Sequence, residues 1–277
     1  MSGGMYALVA SGFTLILGVM QVFNFALGQF YMLGAFTTIG VVMGLGLPYP
    51  VAVLAALLAM GILGLLFHFA VIQWAMPQGF FHSLLVTIAF STTIGQTALL
   101  GMNDPEKGMR RIFPGSLEVG TLSLSWGKLA VIGFALAVMA ALYFFMKTKV
   151  GTAMLAAAEN EEVAGLQGIN AKRIFWITMA VGCALCGAAG GFVAPVLGAS
   201  VTMGSKIFIR GMLVVMIGGM GSMSGALIAA FLVGIVESFA YQFVGELNLL
   251  VIFVFMGVLM YFRPGGLLGK PMPIPGE

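Results

Sequence analysis

Two histidines, His68 and His82, nine acidic residues and the cysteines Cys183 and Cys186 are the groups here whose chemistry could support catalysis or metal binding. The histidines stand far apart, the acids fall mostly between apolar runs, and no HExxH pairing occurs, so spacing assembles no acid–base or metal constellation. The nearest approach to a nucleotide loop, PGGLLGK, has Pro264 where GxxxxGK needs its first glycine, and it follows an apolar helix instead of a strand. The chain is therefore expected to hold no catalytic residue and no metal, and not to bind and hydrolyse ATP itself. Cys183 and Cys186 lie three apart in the run AVGCALCGAAGG, where a disulfide would distort a helix, and they read as small packing residues.

Polar side chains inside the apolar runs are more informative, because at lipid depth they are costly unless they face a bundle interior or a water-filled path. Gln21, Asn24, Gln29 and Tyr31 interrupt the apolar sequence between the first two runs. A broken backbone there would expose amide groups to a zwitterion's carboxylate or ammonium. Thr87, Ser91, Thr92 and Gln96 recur at spacings near four, which puts most of them on one helix face. Glu237 is the one acid deep in an apolar run; it either meets solute or neutralises Arg210 or Lys206. For each group, hydrogen bonding between helices is the alternative to a transport role.

The elements that must position these residues follow from composition. Of 277 residues, 61% are hydrophobic and 8% charged, with a mean hydropathy of +1.10. A soluble domain is only about half apolar and roughly a quarter charged, so these residues cannot build a water-facing surface. Continuous apolar runs exclude the alternation of a membrane barrel, leaving an all-α polytopic bundle. At about 20 residues per crossing, eight or nine transmembrane helices are predicted, at 5–22, 28–46, 51–72, 83–101, 128–146, 174–195, 207–221, 224–243 and 247–262. The count falls to eight if 20–33 or 207–221 re-enters instead of crossing. All ten prolines fall at or outside those ends. No basic region precedes the first apolar run, so that helix is expected to enter the membrane uncleaved. One membrane domain over 1–262 with a short tail, 263–277, is the expected organisation, and no internal repeat is apparent.

Twelve Lys and Arg against nine acids is a mild balance without a basic stripe, which argues against nucleic acid. Lys147, Lys149, Lys172 and Arg173, and Arg263 with Lys270, should face the cytoplasm. Lys107, Arg110 and Arg111 then fall on the opposite side, as do Lys206 and Arg210. GxxxG spacings at Gly40/Gly44, Gly187/Gly191 and Gly221/Gly225 signal close helix packing, and GGMGSMSG from Gly218 reads as a tight connection. His68 and His82, with Trp74 between them, are expected near the inner interface.

The longest segment outside the apolar runs, 147–173, contains the helix formers MLAAAENEEVAGL, three acids at Glu159, Glu161 and Glu162, and a Gly168 break before Asn170. A short amphipathic helix ended by glycine is suited to docking in a partner's groove. The stretch AAAENEEVAGLQGINAKRIFWITMAVGCALCGAAGG resembles the EAA-type coupling loop and following helix of branched-chain amino acid ABC importer permeases, the LivH/LivM family. GVMQVFNFALGQFYMLGAF, MLVVMIGGMGSMSGALIAAFLVGIVES and the closing RPGGLLGK are similar to LivH-type members in particular. Thr152 and Leu155 depart from the basic residues common in the coupling segment, and QWAMPQGFFHS lacks the usual Arg-Pro cluster.

The resemblance implies a pore-forming subunit in a bacterial or archaeal cytoplasmic membrane, passing branched-chain amino acids or a related small polar solute by alternating access that partner ATPases drive. Its implied partners are a second homologous permease, two cytoplasmic ATP-binding subunits that hold ATP and magnesium, and an extracytoplasmic solute-binding protein. Glu159, Asn160, Gly168, Ile169 and Asn170 would couple to the ATPases; Gln21, Asn24, Gln29, Tyr31, Thr87, Ser91, Gln96 and Glu237 are the candidates for the solute path. No cofactor is expected on this chain. An ion-coupled transporter or passive channel for a small solute, such as urea or an amide, is the alternative.

Overall fold

The computed structural model describes residues 2–101, 106–108, 116–119 and 122–269. All nine apolar runs form helices: α1 (Ser2–Met20), α2 (Leu27–Leu45), α3 (Tyr49–Phe67), α5 (Phe80–Gly101), α6 (Trp126–Met146), α9 (Ala171–Leu197), α10 (Met203–Gly218), α11 (Met223–Val244) and α12 (Asn248–Phe262). Between these lie a short α4 (Gln73–Ala75) and the paired helices α7 (Lys149–Glu159) and α8 (Glu161–Leu166). Small strands form two antiparallel pairs, β1 (Glu106–Lys107) with β4 (Ala199–Ser200), and β2 (Ser116–Val119) with β3 (Leu122–Ser125). The closing PMPIPGE stretch lies outside the described residues.

Length and apolarity together qualify six of the described helices as spans, or seven if α6 and α7 are taken as one bent span. The predicted eight or nine is higher because α12, at 15 residues, and α10, at 16, are short for a full crossing. Span three is longer than predicted: α3 passes through a π turn at His68–Ile72 and runs on, so that Tyr49–Gln78 is a single 30-residue stretch. Pro195 lies inside α9, which runs two residues past the predicted end at 195. The carbonyl that proline leaves without a donor is met from another helix.

Helix α9 is the hub and packs against α1, α2 and α3. Without a hydrophobic drive between helices in lipid, close contact comes from small residues. Gly12 of α1 faces the Gly182 carbonyl, Gly34 of α2 lies on Gly187, and Gly190 presses on the Tyr31 carbonyl so closely that any side chain would collide. The Gly187/Gly191 spacing is thus a packing motif, against Met60 and Thr38. Gly40 and Gly44 are not: no atom that a side chain there would meet lies within 4 Å, and both are exposed. Gly221 belongs to the α10–α11 connection, where Gly219 and Gly221 take φ of +100° and +82°. Residues 263–269 pack back on that connection, with Leu267 N–H donating to the Ile217 carbonyl at 2.8 Å and Leu268 N–H to Gly218 at 3.1 Å.

Burial is uneven. In α1, 78% of the spanning window is enclosed by the chain; in α5 the figure is 11%, so α5 is a peripheral helix touching α2 and the extension of α3.

Candidate functional site

Two regions collect the polar residues, one inside the bundle and one at the end where α1, α7 and α9 meet.

The inner region starts at the break between α1 and α2. Residues 21–26 leave helical geometry, and Gln21 is the one non-glycine at positive φ (+53°) among the described residues. The Asn24 side chain stabilises the break: its carbonyl accepts from Ala26 N–H at 3.0 Å, while its amide points to the Met179 sulfur at 3.7 Å. The Thr87 hydroxyl reaches across from α5 to the free Phe23 carbonyl at 3.2 Å. One turn further on, Gln29 Nε2 donates to Ser91 Oγ at 3.2 Å. Gln29 Oε1 is buried without a partner among the described residues and faces Gly204 of α10.

Gln29 and Ser91 open on a cavity of about 270 Å³, which Phe25, Ser205, Phe208 and Met212 also line. Gly95 and Gly204 flank Gln29, so neither α5 nor α10 sets a side chain against its amide there. An unpaired amide oxygen and two hydroxyls in an aromatic and aliphatic wall suit a small solute with an apolar body and a hydrogen-bonding head. Ser205, Phe25 and Phe208 were missed by sequence reasoning, although a serine early in an apolar helix was a visible signal.

The remaining pathway candidates stand elsewhere. The Tyr31 hydroxyl points to the Met5 sulfur at 3.5 Å in the α1–α2 packing. Thr92 and Gln96 are exposed on the far side of α5, with the Thr92 hydroxyl bonded back to the Ile88 carbonyl at 2.9 Å. The predicted single polar face of α5 is therefore divided, because α2 covers only the Thr87–Ser91 side. Glu237 is buried in α11, where Arg210 lies 2.9 Å from its Oε1 and the Tyr6 hydroxyl donates to its Oε2. Lys206 is not its partner. Tyr6 was missed because 231 residues separate it from Glu237.

At the other region the chain turns sharply out of α6. The axis bends by 76° into α7, where Gly151 packs against the Met146 backbone and the Thr148 side chain caps the new helix. The predicted single helix is two, because Asn160 adopts an extended conformation (φ −160°) and its side chain accepts from Val163 N–H at 3.1 Å, starting α8. Glu161 and Glu162 fill the first turn of α8, where a helix dipole favours acids. Gly168 then turns the chain at φ +83°, and Asn170 caps α9 by accepting from Arg173 N–H at 3.2 Å.

This arm is seated on the bundle by Met154, Ala157, Ile174 and Val19, with Ile169 packed beside them. Its outer side carries two exposed apolar residues, Leu166 at 88% and Val163 at 49%, among the exposed acids Glu159, Glu161 and Glu162. Glu159 and Asn160 border a cavity of about 330 Å³ shared with Gln21. His68 and Trp74 lie at this same end; the structure gives His82 no place in either cavity. Cys183 and Cys186 are free and buried against α1 and α3, and no cluster of three metal-ligating residues occurs among the described residues.

A family model described as "Branched-chain amino acid transport system / permease component" matches residues 1–262. Among curated proteins the chain is similar to the high-affinity branched-chain amino acid transport system permease protein BraD of Pseudomonas aeruginosa, at 29% identity over 97% of this chain and 93% of that one. It is similar to LivH of Escherichia coli K12 at 26% identity and to LivH of Salmonella typhimurium at 25%, each over 97% of this chain and 92% of the relative. No solved structure matches.

Proposed function

Because the chain belongs to the branched-chain amino acid transport permease family, we propose that it is the membrane-embedded subunit of an ATP-driven importer for branched-chain amino acids in the cytoplasmic membrane. Its partners are a second permease, two ATP-binding subunits that carry ATP and magnesium, and an extracytoplasmic solute-binding protein. The chain itself binds no cofactor.

The observation that carries the proposal is the arm at 147–170. Its outward residues Val163 and Leu166 are apolar and exposed, its inward residues are anchored, and Asn170 joins it directly to the hub helix α9. ATPases gripping α8 would move α9 against α1 and α2 and so act on the break at Gln21–Ala26. That break holds Gln29 and Ser91 at the cavity. Nucleotide binding would then favour one of two bundle arrangements, and the solute site would open to one side at a time. In the cavity the side chain of an aliphatic amino acid would lie on Phe25 and Phe208, and its ammonium would meet Gln29 Oε1.

The ion-coupled alternative loses its best support, since Glu237, the acid it would use, is already committed to Arg210 and Tyr6. The test is uptake of L-leucine into vesicles containing the chain with its co-purified partners. ATP-dependent uptake that falls at least tenfold in Gln29→Leu is expected. Uptake by the chain alone, driven by an ion gradient, would overturn the reading.

A further inference from the structure

A third cavity, larger than the two already described, lies beside the arm and takes no part in the path. It measures about 640 Å³ and is enclosed by the extension of α3 on one side and by α8 and the start of α9 on the other. Its lining is chemically mixed. Glu161 comes from α8 and Lys172 from α9, and neither belongs to an ion pair among the described residues. Trp74, Phe175 and Trp176 supply aromatic surface, and Gln73 and Gln78 add amides. Among the lining residues is His68, only 2% exposed, whose Nδ1 is buried without a hydrogen-bond partner among the described residues.

A buried, unpartnered imidazole nitrogen costs free energy unless something else satisfies it. The same lining offers one unpaired cation, one unpaired anion and aromatic rings. That set matches a molecule with a carboxylate, an ammonium and an apolar body. We propose that this cleft is a regulatory binding site for a free amino acid, distinct from the transport path. Lys172 takes the carboxylate, Glu161 takes the ammonium, the glutamine amides complete the polar shell, and the side chain lies against Trp74 and Trp176. A bound amino acid then ties α8 to the α3 extension and holds the arm still, so accumulated product on that side slows further import. The choice of amino acid rests on the transport proposal; the zwitterion chemistry of the cleft does not.

The test uses the full-length chain in phosphatidylcholine nanodiscs, without a solute-binding protein or ATP, and follows tryptophan fluorescence as L-leucine is added. Two of the three tryptophans line the cleft, so the signal reports on it. A saturable change is expected, with a midpoint at least tenfold higher in Lys172→Gln and in Glu161→Gln. L-Leucinamide and 4-methylpentanoate, each lacking one charge, should bind at least tenfold more weakly. Both substitutions are at exposed positions, and unchanged helical circular dichroism would establish that the variants fold.

Absence of a saturable change in the wild type, or equal midpoints in wild type and both variants, overturns the proposal. So does a fluorescence change produced by phosphatidylethanolamine nanodiscs alone that blocks the leucine response, since a lipid headgroup is then the occupant. In vesicles, L-leucine preloaded on the arm side should slow ATP-driven uptake in the wild type and not in Lys172→Gln. If the wild type shows no ATP-driven leucine uptake, the transport reading fails, and the fluorescence titration still decides the cleft.

Discussion

The Tyr49 hydroxyl donates to the Gly191 carbonyl at 3.3 Å, and Gly191 is the residue four before Pro195 in α9. Proline has no N–H to offer that carbonyl, so the first residue of α3 supplies from outside what the helix cannot supply from within. The same hydroxyl reaches the Phe192 carbonyl at 3.2 Å. Tyr49→Phe removes both interactions while keeping the ring, and should lower stability by about 1 kcal/mol, seen as a lower unfolding midpoint in detergent. An unchanged midpoint would show that the Pro195 turn is satisfied some other way.

Arg210 and Glu237 predict a different pattern. Removing one member of a buried ion pair leaves a charge without its partner and costs about 3 kcal/mol or more, whereas replacing both with apolar residues is often neutral. Glu237→Leu alone should therefore reduce the yield of folded protein, and the double variant Arg210→Leu with Glu237→Leu should restore most of it. If the double variant is no better than the single one, Glu237 has a role beyond charge balance.

Helix glycines behave oppositely in two places. Gly190 and Gly34 sit where a side chain would run into the backbone of the neighbouring helix, so Gly190→Val or Gly34→Val should abolish a monodisperse folded species in size-exclusion chromatography. Gly40→Val and Gly44→Val meet nothing within 4 Å of the chain and should leave the folding of the isolated subunit unchanged.

The arm can be loosened at the joint where it meets α9. Gly168→Ala places a side chain at φ +83°, and Asn170→Ala removes the α9 cap, each costing about 1 kcal/mol locally. With the partner ATPases present, the double variant should hydrolyse ATP but import at least fivefold less L-leucine per ATP. Unchanged stoichiometry would mean that force does not travel through this joint.

Much of this was legible along the chain, and the exceptions have physical causes. Apolar runs and prolines marked the helices to within a few residues, and Gly168 and Asn170 marked the end of the arm because left-handed turns and side-chain caps leave local signatures. The break at Asn160 was hidden by strong helix formers on either side. It became readable only as an asparagine followed by two acids, the signature of a new helix start. Which of Thr87, Ser91, Thr92 and Gln96 face inward was decided by how little of α5 its neighbours cover, and spacing within one helix carries no record of that. Glu237 announced a need for a cation, but Tyr6 could be found only once α1 was seen packed on α11.

The hydrogen bonds from Leu267 and Leu268 to the carbonyls of Ile217 and Gly218 also constrain how the molecule is made. A ribosome delivers the α10–α11 turn some fifty residues before the segment that fastens it. Until residues 263–269 emerge, α11 is held by packing and by the contacts of Glu237 with Arg210 and Tyr6, and α12 lacks the bonds that tie its end to the turn. The fastening acts as a final check during synthesis: a nascent chain that has misplaced either helix has nowhere to close its clasp.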